Sequence, residues 1–435
     1  MTDLYGLYRG CGCKVTTDSR SISGGEIFFA LKGENFDGNN YAMAALQAGA
    51  AYAVVDECAG LPDAPGLVKV ADTFEALKNL AIEHRCTLAE ESSLKVFGLT
   101  GTNGKTTTKE LIAAVLATTL SITATKGNLN NDIGVPLSLL SITPDTQVAV
   151  IEMGANHPDD IAKLVKVSRP DMGLITNVGK AHLLGFGSFE GVKAAKGELY
   201  KWLGGVPHGT VFLNEDDENL RGMLSGIPVH IFGYGLNYQG AELLPQNAEH
   251  PFLRLKVGGR VISTKLVGAY NATNVLAAIC VGEYFGVPFE AAVKAIEAYT
   301  PANSRSQMTR TERNTLFLDA YNANPSSMAA ALSNFALSEA PLKIALLGDM
   351  RELGEDSVGE HIKVLEILRS SGLNAYLVGE EFGKAIAETG GDCVLGWFRT
   401  SSELAAHLQS HPVEGALILV KGSRGIQMEK TIPAL

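Results

Sequence analysis

Short apolar runs alternate with amphipathic stretches along almost the whole chain, and the alternation predicts strands followed by helices. The first unit reads as strand-like "KVTTDSR" and "EIFFALKG", helical "YAMAALQAGA", strand "AYAVVD" and helical "TFEALKNLAIEH". The polar stretch "RCTLAEESS" (85–93) reads as a linker, and a larger unit restarts at Leu94. There "TQVAVIEMGA" and "MGLITNVGKAH" have the near-continuous apolar character of buried parallel strands. Shorter β-like pieces over 209–267 suggest an antiparallel extension, and helical patterns at 271–286 and 288–299 close the unit. "TPANSRSQ" marks a second boundary, after which "TLFLDAYNANP", "LKIALLGDM", "NAYLVG" and "GALILVKGSRG" suggest another parallel sheet covered by helices. The expected fold is therefore α/β with three domains, over 1–90, 91–301 and 302–435.

One strand-to-helix junction carries specific chemistry. "VFGLTGTNGKTTTKE" (96–110) breaks from an apolar run into a glycine loop and then into a helical stripe. Gly101 and Gly104 permit positive φ and close backbone approach, so the amides of Gly101, Thr102, Asn103 and Gly104 can cradle phosphate at the helix start. Lys105 can reach the β/γ-phosphates and the Thr106 hydroxyl can ligate Mg²⁺. The general P-loop pattern has a glycine where this chain has Leu99, with Gly98 one residue early. A plain glycine turn would explain the glycines but not Lys105-Thr106 at the helix start.

In open α/β sheets ligands collect beyond the carboxyl ends of the strands, and polar residues recur there. Glu152 directly follows "VAVI" and His182 follows "GLITNVGKA". Each alone reads as a cap or a structural residue, but together beside a P-loop they are candidate metal or phosphate contacts. Lys196 shares a helical stripe with Val192, Leu199 and Leu203. A desolvated amine there is depressed in pKa and can add CO₂ to form an anionic carbamate, while the simpler reading is a snorkelling lysine. Asn128, Asn130 and Asn131 crowd the turn "KGNLNNDIGVP" and could meet a peptide or sugar-like ligand, or serve as ordinary loop residues. Ser19 and Arg20 in "TDSR" would suit a diphosphate. In "VKGSRGIQME", Ser423 and Arg424 after a strand would suit a carboxylate, unless Arg424 is simply a surface residue.

Composition narrows the function classes. A net charge of −11 disfavours a nucleic-acid partner. No apolar run is long enough to span a membrane, and "MTDLYGLYRGCGC" lacks the pattern of a signal peptide. The six scattered cysteines contain no C-x-x-C pair, which suggests reduced thiols in a cytoplasmic protein.

These motifs together resemble the Mur ligases, the ATP-dependent amide-forming enzymes of peptidoglycan synthesis, over essentially the whole length. "TGTNGKTT" (100–107) is similar to the family's own P-loop, which includes Thr107 and lacks the first glycine. The resemblance implies that Glu152 and His182 bind Mg²⁺, with two ions expected, and that Lys196 is the carbamylated lysine. "GAYNATNVLAA" looks like the adenine-side motif with Asn271 and Asn274, although Tyr270 stands where many members have His. Arg305 fits the arginine that reaches the ATP phosphates, and Asp319 in "LDAYNANP" fits the ribose-binding aspartate. In "DGNNYA", Asn39 takes a histidine position on the uridine side. Within the family, "KGNLNNDIGVPLSLL", "DAYNANPSSM", "LGDMRELGE" and "VKGSRGIQME" look like the member whose acceptor is D-alanyl-D-alanine. The implied substrates are ATP, UDP-N-acetylmuramoyl-tripeptide and D-Ala-D-Ala. The implied catalytic residues are Lys105, Lys196, His182 and Arg305, in a protein expected to be monomeric.

Overall fold

The computed structural model describes residues 3–247, 249–302 and 305–435. Three main sheets follow one another along the chain, the first two parallel and the third mixed. The first has four strands in the order Val15–Thr16, Ile27–Phe29, Tyr52–Asp56 and Leu67–Val70, all parallel. The helix Thr73–Glu91 follows, started by Asp72, whose carboxylate accepts the Glu75 N–H at 2.8 Å. Its buried residues Leu77, Leu80, Ala81, His84, Arg85 and Leu88 recur at helical spacing and face inward.

That helix overturns the linker expected at 85–93, which instead supplies the helix's last turns. The stretch looks polar because Glu90 and Glu91 lie on the solvent side. Arg85 and Leu88 point inward, and Arg85 meets Asp171 of the second unit at 2.9 Å. Tyr8 donates to the Leu140 carbonyl at 2.6 Å, and His84 Nε2 lies 2.9 Å from the Ile142 carbonyl. One apolar core therefore runs from Tyr8 and Leu77 through Val96 to Leu203.

The second sheet has six parallel strands in the order His230–Tyr234, Thr210–Asn214, Met172–Ile175, Lys95–Thr100, Val148–Glu152 and Ile122–Ala124. Only part of 209–267 is the antiparallel extension expected. Thr210–Asn214 and His230–Tyr234 join the parallel sheet, while Glu242–Leu243, Arg254–Val257 and Arg260–Ser263 pair antiparallel. The helices Ala272–Tyr284 and Phe289–Ala298 pack on the helix Lys105–Leu116.

The third sheet runs Gln307–Arg310, Thr315–Asp319, Leu417–Lys421, Lys343–Gly348, Asn374–Val378 and Val394–Phe398, parallel except for its first strand. Carboxyl ends from the second and third sheets line one cleft of about 410 Å³, which contains Glu152, Asp319 and Lys421. No helix among the described residues is long and apolar enough to cross a membrane.

Candidate functional site

The floor of the cleft is the turn between Lys95–Thr100 and Lys105–Leu116. Gly101 has φ +151°, and a Cβ there would lie 1.9 Å from the Thr176 hydroxyl. Gly104 has φ +78°, and a Cβ would press on the Asn274 amide at 2.8 Å. Both positions require glycine. Asn177 accepts the Asn103 N–H at 3.0 Å and Thr176 donates to the Asn103 carbonyl at 2.6 Å, so the neighbouring strand holds the loop open. Lys105 donates to the Gly101 and Thr102 carbonyls at 2.8 and 3.2 Å. Desolvation depresses its pKa, the Glu152 charge opposes that shift, and Arg305, which lines the same cleft, adds to it. Thr107 is buried on the first helical turn.

Glu152 ends its strand only 1% exposed. Its Oε1 accepts from Asn130 at 2.8 Å and from the Thr106 hydroxyl at 3.3 Å, while the buried Oε2 has no hydrogen-bond partner. The nearest cation is Lys109, 3.8 Å from Oε2, whose amine donates to the Thr125 carbonyl at 2.8 Å. A buried carboxylate oxygen without a donor, beside a helix-start hydroxyl, is the chemistry that suits a hard cation. Among the described residues no three His, Cys, Asp or Glu side chains cluster into a ready metal cage. Mg²⁺ sites that use substrate phosphates need only one or two carboxylates.

His182 adopts a left-handed conformation with φ +51°, and its Nδ1 pairs with Glu352 of the third unit. Desolvation lowers its pKa and Glu352 works against that shift. Lys196 is buried in the helix Phe189–Gly204 together with Val192, Leu199 and Leu203, as the stripe predicts. Its amine lies 5.8 Å from the Phe186 ring centroid, and desolvation, reinforced by Lys105, depresses its pKa strongly. The residue is only 2% exposed, and among the described residues its amine has no ion pair or hydrogen bond.

The opposite wall is the third unit together with the amide pair of the helix Ala272–Tyr284. Asn274 Nδ2 donates to Asn271 Oδ1 at 2.9 Å, Asn274 Oδ1 accepts from Thr108 at 3.0 Å, and Asn271 donates to the Val267 carbonyl at 2.8 Å. Tyr270 lines the cleft and its hydroxyl lies 3.3 Å from that of Ser306. Asp319 meets the buried Lys421 amine at 2.6 Å, and Lys421 also donates to the Asn322 carbonyl at 3.1 Å. The Arg305 guanidinium lies 3.5 Å from the Tyr321 ring centroid, with that of Arg424 at 5.5 Å from the same ring. Ser423 is buried, accepting the Arg351 N–H at 2.9 Å and donating to the Ala323 carbonyl at 3.3 Å, so its hydroxyl is already engaged. Asn324 donates to Asn103 at 2.8 Å and Lys180 pairs with Glu360 at 2.9 Å, docking the third unit onto the P-loop side.

The remaining candidates stand apart. Asn128 lines the main cleft, whereas Asn131 caps the backbone at Gly134 (2.9 Å) and lines a neighbouring cleft of about 530 Å³ between the first two units. Arg20 is exposed and grips Asp18 through two bonds of 2.9 and 2.8 Å, which holds that carboxyl down at about 2. Ser19 lies in the same short turn, Ser19–Ser21. Asn39 is buried and bridges Asp37 and Asp56. Lys109, Tyr321 and Lys421 are additions made by the structure. Their only sequence signal is adjacency to the motifs "GKTTTKE", "LDAYNANP" and "VKGSRG".

A P-loop sheet roofed by a second, mostly parallel sheet, with a smaller α/β unit in front, defines the three-domain class of P-loop α/β proteins. Family models match all three parts in order. They are "Mur ligase family, catalytic domain" over 14–84, "Mur ligase middle domain" over 99–282 and "Mur ligase, glutamate ligase domain" over 304–424. The chain belongs to the Mur ligase family. It is 35% identical to the "UDP-N-acetylmuramoyl-tripeptide--D-alanyl-D-alanine ligase" of Escherichia coli (strain K12), covering 97% of this chain and 93% of that one. A crystal structure of MurF from Acinetobacter baumannii superposes with a TM-score of 0.84 at 32% identity, covering 97% of this chain and 92% of that one. The MurF ligase of Thermotoga maritima, solved in complex with ADP, gives 0.83 at 26% identity, covering 100% and 98%.

Proposed function

We propose that this chain is the ATP-dependent ligase that joins D-alanyl-D-alanine to UDP-N-acetylmuramoyl-tripeptide, giving the UDP-linked pentapeptide, ADP and phosphate for peptidoglycan synthesis. The observation that carries the reading is the cleft in which the P-loop, Glu152, Arg305 and Asp319 face one another. It is supported by family membership and by relatives of that activity aligned over nearly the whole chain. We assign the UDP-substrate to unit 1–90 and its neighbouring cleft, ATP to 91–301, and the dipeptide to 302–435. The enzyme acts as a cytoplasmic monomer.

A carboxylate is a poor electrophile, so the tripeptide's terminal carboxylate attacks the γ-phosphorus of ATP, releasing ADP and forming an acyl phosphate. The dipeptide amine then adds to the acyl carbon, and the tetrahedral intermediate expels phosphate. Lys105 and Arg305 neutralise charge on the transferring group. Thr106 and Glu152 would hold one Mg²⁺, and His182 with carbamylated Lys196 a second. When bound, these ions neutralise and orient the phosphates. Carbamylation joins the neutral Lys196 amine to CO₂ with loss of one proton, and desolvation of that amine favours its neutral form. Asn271 and Asn274 serve the adenine side and Asp319 the ribose. Asn128, Asn130 and Asn131 face the muramoyl-peptide, Ser19 and Arg20 the diphosphate, and Arg424 beside Ser423 the dipeptide carboxylate.

The test is ADP release with ATP and the UDP-tripeptide against a panel of amines, with the product mass measured. D-Ala-D-Ala should outperform D-Ala and L-amino acids and give the pentapeptide mass. Equal use of a single amino acid, or equal hydrolysis without acceptor, overturns the assignment.

A further inference from the structure

We infer that Tyr321 is a positioning residue, an aromatic platform that fixes the Arg305 guanidinium at the phosphate side of the cleft and shares that platform with Arg424 on the acceptor side. The inference deepens the proposed ligase reaction and rests on that reading. A guanidinium carbon 3.5 Å from a ring centroid lies over the face, since an in-plane approach that close would collide with the ring carbons. The Arg424 carbon, at 5.5 Å, is also within cation–π range, and its Nη1 lies 3.5 Å from the phenolic oxygen, too far to bind it firmly. Two cations beside one ring repel each other unless an anion or the ring's own quadrupole holds them.

The platform is itself fixed. Tyr321 lies between Asp319, paired with the buried Lys421, and Asn322, whose carbonyl accepts from the same lysine amine. Three residues on, Asn324 caps the helix Pro325–Leu337 and bonds Asn103 of the P-loop. The ring therefore stands in a loop tied to both walls of the cleft. Among the described residues no carboxylate is recorded pairing with Arg305 or Arg424, so the ring is the group that limits their freedom before substrates arrive. Preorganised charge of this kind acts on the transition state more than on ground-state binding of nucleotide.

The experiment is steady-state kinetics of the full chain with ATP, UDP-tripeptide and D-Ala-D-Ala for Tyr321→Leu, Tyr321→Phe, Arg305→Lys and the double variant Tyr321→Leu/Arg305→Lys. Tyr321→Leu should lower kcat about tenfold or more and raise KM for the dipeptide several-fold, with KM for ATP little changed. Tyr321→Phe keeps the ring face and should stay within about twofold of wild type. Arg305→Lys keeps the charge but loses the planar stack, so it should lose at least as much as Tyr321→Leu, and the double variant should be no worse than Arg305→Lys alone. Should Tyr321→Leu not fold, Tyr321→Phe and Arg305→Lys decide the matter by the same expectations. A folded Tyr321→Leu with unchanged kcat, a Tyr321→Phe as impaired as it, an active Arg305→Lys, or multiplying losses in the double variant each overturn the platform. If the unmodified enzyme does not ligate D-Ala-D-Ala, the proposed function has failed instead.

Discussion

The second and third sheets each deliver a carboxylate to the same cleft and treat it in opposite ways. Glu152 ends its strand buried, with one oxygen lacking a donor and its nearest cation 3.8 Å away. Asp319 ends its strand bonded at 2.6 Å to a buried lysine whose remaining bonds go to the loop. An unpaired carboxylate oxygen in a low-dielectric site is costly unless a ligand completes it. The first strand end thus has one oxygen left for a bound ligand to complete, with Lys109 only loosely paired to it, whereas the second arrives already neutralised and held in place. Changes at the first should abolish chemistry while sparing the fold, and changes at the second should weaken affinity or stability.

The largest effect sharpens the first half of that contrast. Lys105→Ala should lower ligation roughly a thousandfold or more, with its unfolding midpoint close to that of wild type, measured by ADP release and thermal melting. Turnover near wild type in a folded variant would break the contrast at its strongest point.

Close behind comes Lys196. Lys196→Arg keeps the positive charge but cannot form the carbamate, so it should be nearly inactive, and stripping CO₂ and bicarbonate should reversibly inactivate the unmodified enzyme. The amine also leaves a stability signature. Its folded pKa lies well below the ordinary 10.5 because of desolvation, reinforced by Lys105. Between those two values the unfolded chain binds more protons, so stability rises with pH across that window. Denaturant titrations over a pH series should show that rise in CO₂-free buffer and a flatter profile for Lys196→Met.

Effects at the third sheet should be smaller and of another kind. Arg424→Ala should raise KM for the dipeptide far more than KM for ATP, matching one lost charge-assisted bond of about 1.5–3 kcal/mol. Asp319→Asn leaves the Lys421 charge buried without its partner and should cost about 1–2 kcal/mol, discounted because Asp319 keeps some solvent contact. Glu152→Gln removes a charge whose ion pair with Lys109 is loose at 3.8 Å, so it should cost less stability than Asp319→Asn, even as activity falls. If the two carboxamide variants shift stability alike, the opposition between the strand ends is wrong.

What the sequence makes legible follows the range of the interaction. The P-loop can be read because Gly101, Gly104 and Lys105 act through backbone conformation within a few residues, and the Lys196 stripe because helical spacing is local. The three α/β units follow from their apolar runs. Pairings across long separations do not: Asn103 with Asn324, Lys180 with Glu360, His182 with Glu352, and Lys421 beneath Asp319 are set by docking of distant segments. Polar composition misleads at 85–93, where Arg85 is buried and met by Asp171 and the Arg169 carbonyl of the second unit. Nor does composition show that the Arg20 guanidinium is held by Asp18 two residues away.

The core shared by Tyr8, the helix Thr73–Glu91 and the strand Lys95–Thr100 also bears on how the molecule comes apart. A break at residue 90 would strip Leu77, Leu80 and Leu88 of part of their packing, leaving two fragments with sticky faces instead of two free-standing modules. On heating, everything before the second boundary should melt as one cooperative block. The segment from Arg305 onward centres on two further apolar clusters, one of which also takes in Val267, and it meets the P-loop side through contacts such as Asn103–Asn324 and Lys180–Glu360. It should survive proteolysis as a separate piece.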